Sequence, residues 1–290
     1  MTDDGRTAIT KPGVYDLAED VYHSDPVPGG SLSASGAKLI LDCPARFRYA
    51  VDHRAAEHKK VFDFGSAAHK YVLGTGPELA VVDARDWRTK AAQEAKKLAR
   101  EQGKVPLLAH DHEAVQAMAR KIAEHPIAGQ LFAAGQGQAE QSLFWFDERY
   151  GVWRRARLDW LPNEISSSGR LIIPDYKTTV SVDQESIAKA IHNLRYPMQA
   201  DWYCDAVQAL GIAEHPVFLF VFQEKTPPYL VQVVELDGLF RRIGREDNRL
   251  ALEVFAECQA TGEWPGYSND IELIEPPAWA AKNLTKETVW

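Results

Sequence analysis

The sequence has few cysteines, which limits the chemistry it can support. Cys43, Cys204 and Cys258 are the three cysteines among 290 residues, and they lie far apart. Three separated thiols supply neither a disulfide framework nor the four thiolates that an iron–sulfur cluster normally takes. We therefore expect no iron–sulfur cluster and a reducing, cytoplasmic environment.

Long apolar runs are also missing. The longest, Pro216 to Phe222, has the length of a buried strand and is too short to span a bilayer. Residues 1–13 are polar and include acids, unlike a secretory signal peptide. These features predict a protein that does not engage a membrane.

An excess of positive charge is absent too, since the net charge is −8. Indiscriminate binding to nucleic acid is therefore not expected, because such binding depends on Lys and Arg neutralising phosphates. Between residues 37 and 60, however, basic side chains outnumber acids. The basic residues there are Lys38, Arg46, Arg48, Arg54, Lys59 and Lys60. This segment predicts a local basic lane on an acidic body.

The chain is expected to form one elaborated domain. Residues 1–30 form an N-terminal extension, 31–262 the main domain, and 263–290 a Pro- and Trp-rich tail packed on the surface. The Ala-, Lys- and Glu-rich segment at about 85–125 predicts an insertion of two surface helices. Further helices are expected from Ala45 to about His58 and from Phe64 to Leu73.

Acidic and basic residues meet at the end of a predicted hairpin. Strands near 152–161 and 171–177, joined by a turn at 166–169, place Asp159 beside Asp175 and Lys177. Because residues i and i+2 of a strand share a face, Asp175 and Lys177 point the same way. Two carboxylates so placed suit Mg²⁺ or Mn²⁺. Such an ion can offset charge on a phosphate and activate water, which Lys177 would orient.

A solvated strand edge is the alternative interpretation, since Asp-x-Lys is a short pattern. The apolar run Leu171–Ile173 argues against it, because a core strand that delivers charges at its end needs partners for them. Gln199 and Tyr203, at i and i+4 of a predicted helix, can face the same site.

Several residues are candidates for contacts with DNA phosphates. Ser33 and Ser35 begin a predicted helix, whose free N–H groups could bind a terminal phosphate, although helix capping explains them equally well. Arg46 lies nearby in sequence, and Arg157 is the expected phosphate ligand among the arginines before Asp159.

Five motifs occur in an order that resembles a known family. They are Ser33-Ala-Ser35 with Cys43-Pro44 and Phe47, Gly65-Ser-Ala-Ala-His69, Asp159, Asp175-Tyr176-Lys177-Thr-Thr, and Gln199-Ala-Asp-Trp-Tyr203. This series resembles the PD-(D/E)XK nucleases of the RecB-like and lambda-exonuclease-like group. It is most similar to the phage RecE-type exonucleases, relatives of exodeoxyribonuclease VIII.

The resemblance implies a fold and roles for individual residues. The fold would be α/β, with a restriction-endonuclease-like core in which a mixed central sheet of about five strands is flanked by helices. His69, Asp159, Asp175 and the Tyr176 carbonyl would ligate Mg²⁺ or Mn²⁺. Lys177 would serve the nucleophilic water, Gln199 and Tyr203 would position water or the DNA backbone, and Glu140 would face the metal.

The resemblance also implies a function. The protein would be a metal-dependent exodeoxyribonuclease that degrades linear double-stranded DNA from its ends, in the 5′ to 3′ direction. It would act in phage-type homologous recombination inside a bacterial host cell. A single-strand annealing protein is an expected partner, and a homo-oligomeric ring is an expected assembly. Two alternatives stay open. One is an endonuclease of the same fold, including the CRISPR-adaptation type, and the other is a catalytically inert module that binds DNA ends.

Overall fold

The computed structural model describes residues 8–53, 63–166, 169–277 and 280, which form both helices and strands. The strands are β1 (Gly13–Tyr15), β2 (Leu32–Ser33), β3 (Leu79–Val82), β4 (Val105–Leu108), β5 (Gly137–Asp147), β6 (Val152–Pro162), β7 (Ile172–Thr179), β8 (Val217–Glu224) and β9 (Val231–Glu235). The helices are α1 (Glu19–Ser24), α2 (Ala34–Asp42), α3 (Pro44–Asp52), α4 (Asp63–Leu73), α5 (Lys90–Glu101), α6 (Ala109–Glu124), α7 (Ala128–Leu131), α8 (Gln184–Asn193), α9 (Tyr196–Ala209) and α10 (Gly238–Thr261).

A layer of mixed strands forms the centre of the molecule. One sheet has the order β1-β5-β6-β2, with β5 and β6 antiparallel and β2 parallel to β6. The other has the order β7-β8-β9, with β7 and β8 parallel. Ile40 of α2, Trp202 of α9 and Phe255 of α10 share one apolar cluster with these strands, and α4 and α6 contribute to a second. The predicted α/β class, a mixed β layer flanked by helices, is confirmed.

The predicted hairpin of strands 152–161 and 171–177 is wrong. Strand β6 pairs with β5, and β7 pairs in parallel with β8, so that Asp175 lies opposite Phe220. Strands β6 and β7 meet instead through a side chain, because Asp159 Oδ2 accepts a hydrogen bond of 2.8 Å from the Tyr176 amide. The Asp159 carboxylate thus accepts the Tyr176 N–H, which a carbonyl of a neighbouring strand would otherwise accept.

Only part of the predicted insertion near 85–125 lies on the surface. Helix α5 is largely exposed, and β4 after it pairs in parallel with β3. Helix α6 is not a surface helix as predicted, because Val115, Met118 and Ile122 are buried in the cluster that includes Ala68 of α4. Their spacing places them on one helical face, which packs behind α4.

Helices α9 and α10 approach each other closely at a glycine. A Cβ on Gly244 would lie 2.2 Å from the Pro197 carbonyl oxygen, so a side chain cannot fit there. Asn248, one turn further along α10, donates to the Met198 carbonyl at 3.0 Å. This contact fixes the start of α9.

No helix in the described ranges is long and apolar enough to cross a membrane.

Parts of the segments before residue 31 and after residue 262 pack on the rest of the described chain, whereas Ile271, Leu273 and Ile274 are exposed. Strand β1 joins β5, and Asp25 Oδ2 accepts from buried Arg155 at 2.6 Å. After α10, Trp264 stacks on Phe47 with 5.5 Å between ring centroids. The predicted helix beyond residue 53, and Ser167 and Ser168 of the predicted turn, lie outside the described residues.

Candidate active site

Three side chains that could hold a metal ion converge from α4, β5 and β6; they are called the metal-binding group below. His69, Glu140 and Asp159 each offer a ligand atom, and these atoms lie within 4.8 Å of one another. His69 Nδ1 is 3.7 Å from Asp159 Oδ2. A Cβ on Gly65, four residues before His69, would make only an ordinary 3.9 Å contact with Thr178 Oγ1, so this glycine is not required by close packing.

Glu140 reaches this group through a break in the β5–β6 ladder. Ala139 pairs with Trp160 and Gln141 with Leu158, whereas Glu140 itself has a left-handed backbone with a φ of 55°. That conformation is costly for a residue with a side chain, and such residues cluster at functional sites. The local irregularity turns Glu140 out of the regular pleat beside Asp159.

Arg157 holds the Glu140 carboxylate in place. Its Nε donates to Glu140 Oε2 at 2.6 Å, while Nη1 donates to the Leu17 carbonyl at 2.9 Å and to Ser142 Oγ at 2.8 Å. The side chain is only 13% exposed. These contacts favour a positioning role for Arg157 over the predicted phosphate contact.

Strand β7 presents the second half of the site. Asp175 and Lys177 share a face, with 2.5 Å between Lys177 Nζ and Asp175 Oδ2. Gln199 Nε2 donates to Asp175 Oδ1 at 2.7 Å from α9. Tyr203, one turn after Gln199 on α9, packs its ring edge-on against Phe218. Of the predicted Gln199–Tyr203 face, Gln199 contacts Asp175.

Burial sets the protonation of the acids and the imidazole. It raises the pKa of both Asp159 and Asp175 to about 6, although Lys177 opposes the shift in each case. Burial, assisted by Lys177, lowers the pKa of His69 to about 4. At neutral pH the site thus offers carboxylates and a neutral imidazole, the forms that bind metal ions.

Lys177 stays charged in the same surroundings. Burial disfavours its ammonium form, but the Asp175 and Asp159 carboxylates outweigh that effect and raise the pKa of Lys177. A charged lysine next to a cation site can stabilise a phosphate oxygen.

The donor set fits a hard divalent cation, with one difference from the prediction. Glu140, named only as an additional candidate, belongs to the three-residue group, whereas Asp175 does not and instead faces Gln199 and Lys177. Carboxylate oxygens with one imidazole suit Mn²⁺ and Mg²⁺. Ligation by Asp175 and by the Tyr176 carbonyl stays a prediction. The Tyr176 ring is fully buried, with its hydroxyl donating to Gln223 Oε1 at 2.6 Å.

The other residues predicted to contact DNA phosphates, Ser33, Ser35 and Arg46, make contacts outside the group of His69, Glu140 and Asp159. Ser33 is the N-cap of α2 and accepts from the Gly36 amide at 3.1 Å, which is the capping alternative. Ser35 is exposed beside it, 3.1 Å away between hydroxyl oxygens. Exposed Arg46 lies over the Tyr267 ring at 5.2 Å. Arg54, Lys59 and Lys60 of the predicted basic lane lie outside the described residues.

Sequence reasoning missed the role of two residues beside Lys177. The centre of the Tyr196 ring is 5.5 Å from Lys177 Nζ and 5.3 Å from Lys38 Nζ, so both ammonium groups lie near one aromatic side chain. Lys38 appeared only as one charge of the basic lane, and Tyr196 matched no motif. The position of Lys38 one helical turn after Ser35 is the signal that could have indicated it.

Comparisons with known proteins agree with this geometry. The model of the PDDEXK-like domain of unknown function (DUF3799) matches residues 33–277. The crystal structure of a candidate exonuclease from Eubacterium rectale superposes with a TM-score of 0.61 at 14% identity, covering 94% of this chain and 99% of that one. At that identity the likeness concerns the fold alone.

A second solved structure, SSO0001, has a TM-score of 0.34 at 11% identity, covers 80% of this chain and 76% of that one, and carries no argument. No curated protein matches the sequence significantly. Nucleases of the PDDEXK type generally use divalent metals, and His69, Glu140 and Asp159 form a possible acidic site for one. Since the family model spans most of its length, the chain belongs to the PDDEXK-like DUF3799 family.

Proposed function

We propose that this protein is a divalent-metal-dependent deoxyribonuclease. The observation that carries the proposal is the convergence of His69, Glu140 and Asp159 beside the Asp175–Lys177 pair. A divalent ion held there would supply Lewis acidity toward a scissile phosphate and its attacking water.

The chain's own residues have separable tasks in this proposal. Glu140 and Asp159 bring negative charge to the cation, while neutral His69 completes the donor set. Lys177 remains protonated and steadies the charge that builds on the phosphate oxygens. Gln199 fixes Asp175 through a 2.7 Å hydrogen bond, and Tyr203 lies one turn after Gln199 on α9.

The proposed substrate is linear double-stranded DNA, cut from its ends in the 5′ to 3′ direction during recombination. The motif order resembles that of RecE-type exonucleases, and the structural relative from Eubacterium rectale is described as a candidate exonuclease. The same core also serves endonucleases, so the type of cleavage is what the experiment must decide.

An inert DNA-end-binding module is the other alternative. Burial holds the pKa values of Asp159 and Asp175 near 6, so keeping both ionised at neutral pH costs folding free energy. A module that only binds ends has no need to maintain that cost. The retained charges therefore favour a working site.

Digestion of DNA tests the proposal. Linear duplex with and without a 5′-phosphate, and closed circular DNA, are incubated with Mg²⁺, Mn²⁺ or EDTA. We expect metal-dependent loss of the linear DNA alone. Lys177→Ala should reduce the rate by roughly a hundredfold or more. Lys121→Ala is the matched control, since Lys121 is 51% exposed and pairs with Glu124 on α6.

The other outcomes separate the alternatives. Nicking of the circle would indicate an endonuclease, and binding without metal-dependent cleavage would indicate the inert module. A single-strand annealing partner and a ring-shaped homo-oligomer are further proposals. Size-exclusion chromatography with light scattering, in the presence and absence of DNA, tests the ring, and a monomer in both conditions would contradict it.

A further inference from the structure

A cluster of cations lies beside the metal-binding group on the side of α2 and α9. Lys38 Nζ and Lys177 Nζ lie 5.3 and 5.5 Å from the centre of the Tyr196 ring. Arg195 precedes Tyr196 and is the N-cap of α9, with a left-handed backbone. Two ammonium groups, from α2 and β7, thus lie near one half-buried aromatic ring, and Arg195 adds a third positive charge that acts on Lys38.

The positive charge of Lys38 has little compensation from negative groups in this cluster. Its ammonium donates to the Leu194 carbonyl at 2.8 Å, and within the described ranges no carboxylate lies within 4 Å of it. Arg195 has acidic neighbours, but Asp42 and Asp247 are each 3.6 Å away, outside hydrogen-bonding geometry. Lys177 is committed to Asp175. An incoming anion would therefore gain most from Lys38.

The electrostatics point the same way. Burial, together with Lys177 and Arg195, lowers the pKa of Lys38 to about 8, while Asp175 opposes the shift. A partly buried ammonium among like charges is costly unless an anion arrives. Ser35 lies one turn earlier on α2 and is exposed, so its hydroxyl shares a helical face with Lys38.

We propose that Lys38, supported by Arg195, binds a backbone phosphate of the nucleic acid strand adjacent to the phosphate that is cut. This subsite deepens the proposed nuclease function and rests on it. Lys177 is paired with Asp175, whereas Lys38 has no carboxylate partner within the described ranges, so the two lysines are assigned to different phosphates of one strand. The ligand class is a nucleic acid phosphodiester, and Lys38 is a binding residue that does not take part in bond cleavage.

The test compares DNA binding by wild type, Lys38→Met, Lys38→Arg and the control Lys121→Met. A fluorescent duplex is titrated in Ca²⁺ in place of Mg²⁺, and gels check that the DNA stays intact. Each phosphate contact contributes roughly 0.7–0.9 to the slope of log affinity against log salt. Lys38→Met should lower the slope by about that amount, whereas Lys38→Arg and Lys121→Met should retain it.

A chemical variant of the DNA locates the contact. A methylphosphonate replaces one phosphate at a time near the cleavage point. At one position the neutral linkage should weaken wild-type binding but leave Lys38→Met unaffected. In Mg²⁺, Lys38→Met should raise KM several-fold with little change in kcat.

Three outcomes would overturn the subsite. One is an unchanged slope of log affinity against log salt in Lys38→Met, together with a lower melting temperature. That result would mean that Lys38 stabilises the fold through its hydrogen bond to the Leu194 carbonyl. Another is equal sensitivity of both proteins to every methylphosphonate. If wild type cleaves DNA in these cases, the nuclease proposal survives alone. A wild type that neither binds nor cleaves DNA would overturn both.

Discussion

At the scale of single residues, the Arg157 guanidinium binds a carboxylate of the protein itself, whereas the sequence predicted that it would bind a DNA phosphate. Its guanidinium joins Glu140 of the metal-binding group to the Leu17 carbonyl of the N-terminal segment. Glu140 adopts a left-handed backbone, so its side chain needs external support to keep one direction. Residues that orient metal ligands in this way strongly affect metal affinity.

Replacing Arg157 should therefore lower the affinity for metal ions while the protein still folds. We expect Arg157→Met to lower Mn²⁺ affinity by about 10–100-fold, as is typical for loss of an orienting partner. Isothermal titration calorimetry measures this directly, without DNA. Arg149→Met is the control, because Arg149 is exposed in the β5–β6 turn. Unchanged Mn²⁺ affinity in Arg157→Met would contradict the positioning role.

At the scale of elements, the α9–α10 contact controls where the second half of the site lies. Helix α9 carries Tyr196 and Gln199, and Gly244 of α10 lies against its first turn. Because the Pro197 carbonyl occupies the space of a Gly244 side chain, the helices can approach only with glycine at that position.

Gly244→Ala should separate these helices. Overpacking of this kind costs typically about 1–3 kcal/mol of unfolding free energy. Nuclease activity should also fall, since the shift displaces Gln199 from Asp175. Gly238→Ala is the matched control on the same helix, where a Cβ meets nothing within 4 Å. Urea unfolding followed by circular dichroism checks the prediction, and equal midpoints for the two variants would refute it.

At the scale of the whole molecule, the site carries an energetic cost that metal binding can offset. Burial raises the pKa of Asp159 in the folded protein to about 6, from an ordinary value of 3.8. The folded state therefore holds this proton more tightly than the unfolded chain does. Its contribution to stability is fully present below pH 3.8 and is lost as the pH rises through about 6.

Metal-free Asp159→Asn should consequently be more stable than metal-free wild type at pH 8, by on the order of 1–3 kcal/mol. The difference should shrink as the pH falls through 6. Mn²⁺ should raise the melting temperature of wild type and leave the variant unchanged, since an ion that binds only the folded state stabilises it. Thermal unfolding in EDTA and in Mn²⁺ at several pH values measures both effects. A less stable variant at pH 8 would contradict the burial argument.

The local patterns of this sequence determined its elements and most of its candidate site. Local sequence signals predicted the helices near α4 and α9 and the strands near β6 and β7, because these signals act over a few residues. The i, i+2 and i, i+4 spacings correctly placed Asp175 with Lys177 and Gln199 with Tyr203, since both depend only on local geometry.

Only the tertiary structure decided the contacts between distant segments. Strand β7 pairs with β8 and not with β6, because pairing depends on how the layers pack. Glu140 enters the metal-binding group through a backbone irregularity that no propensity predicts. Lys38 meets Tyr196 across more than 150 residues of chain because α2 and α9 pack together. Local composition sets which elements form, but long-range packing sets which side chains share one site.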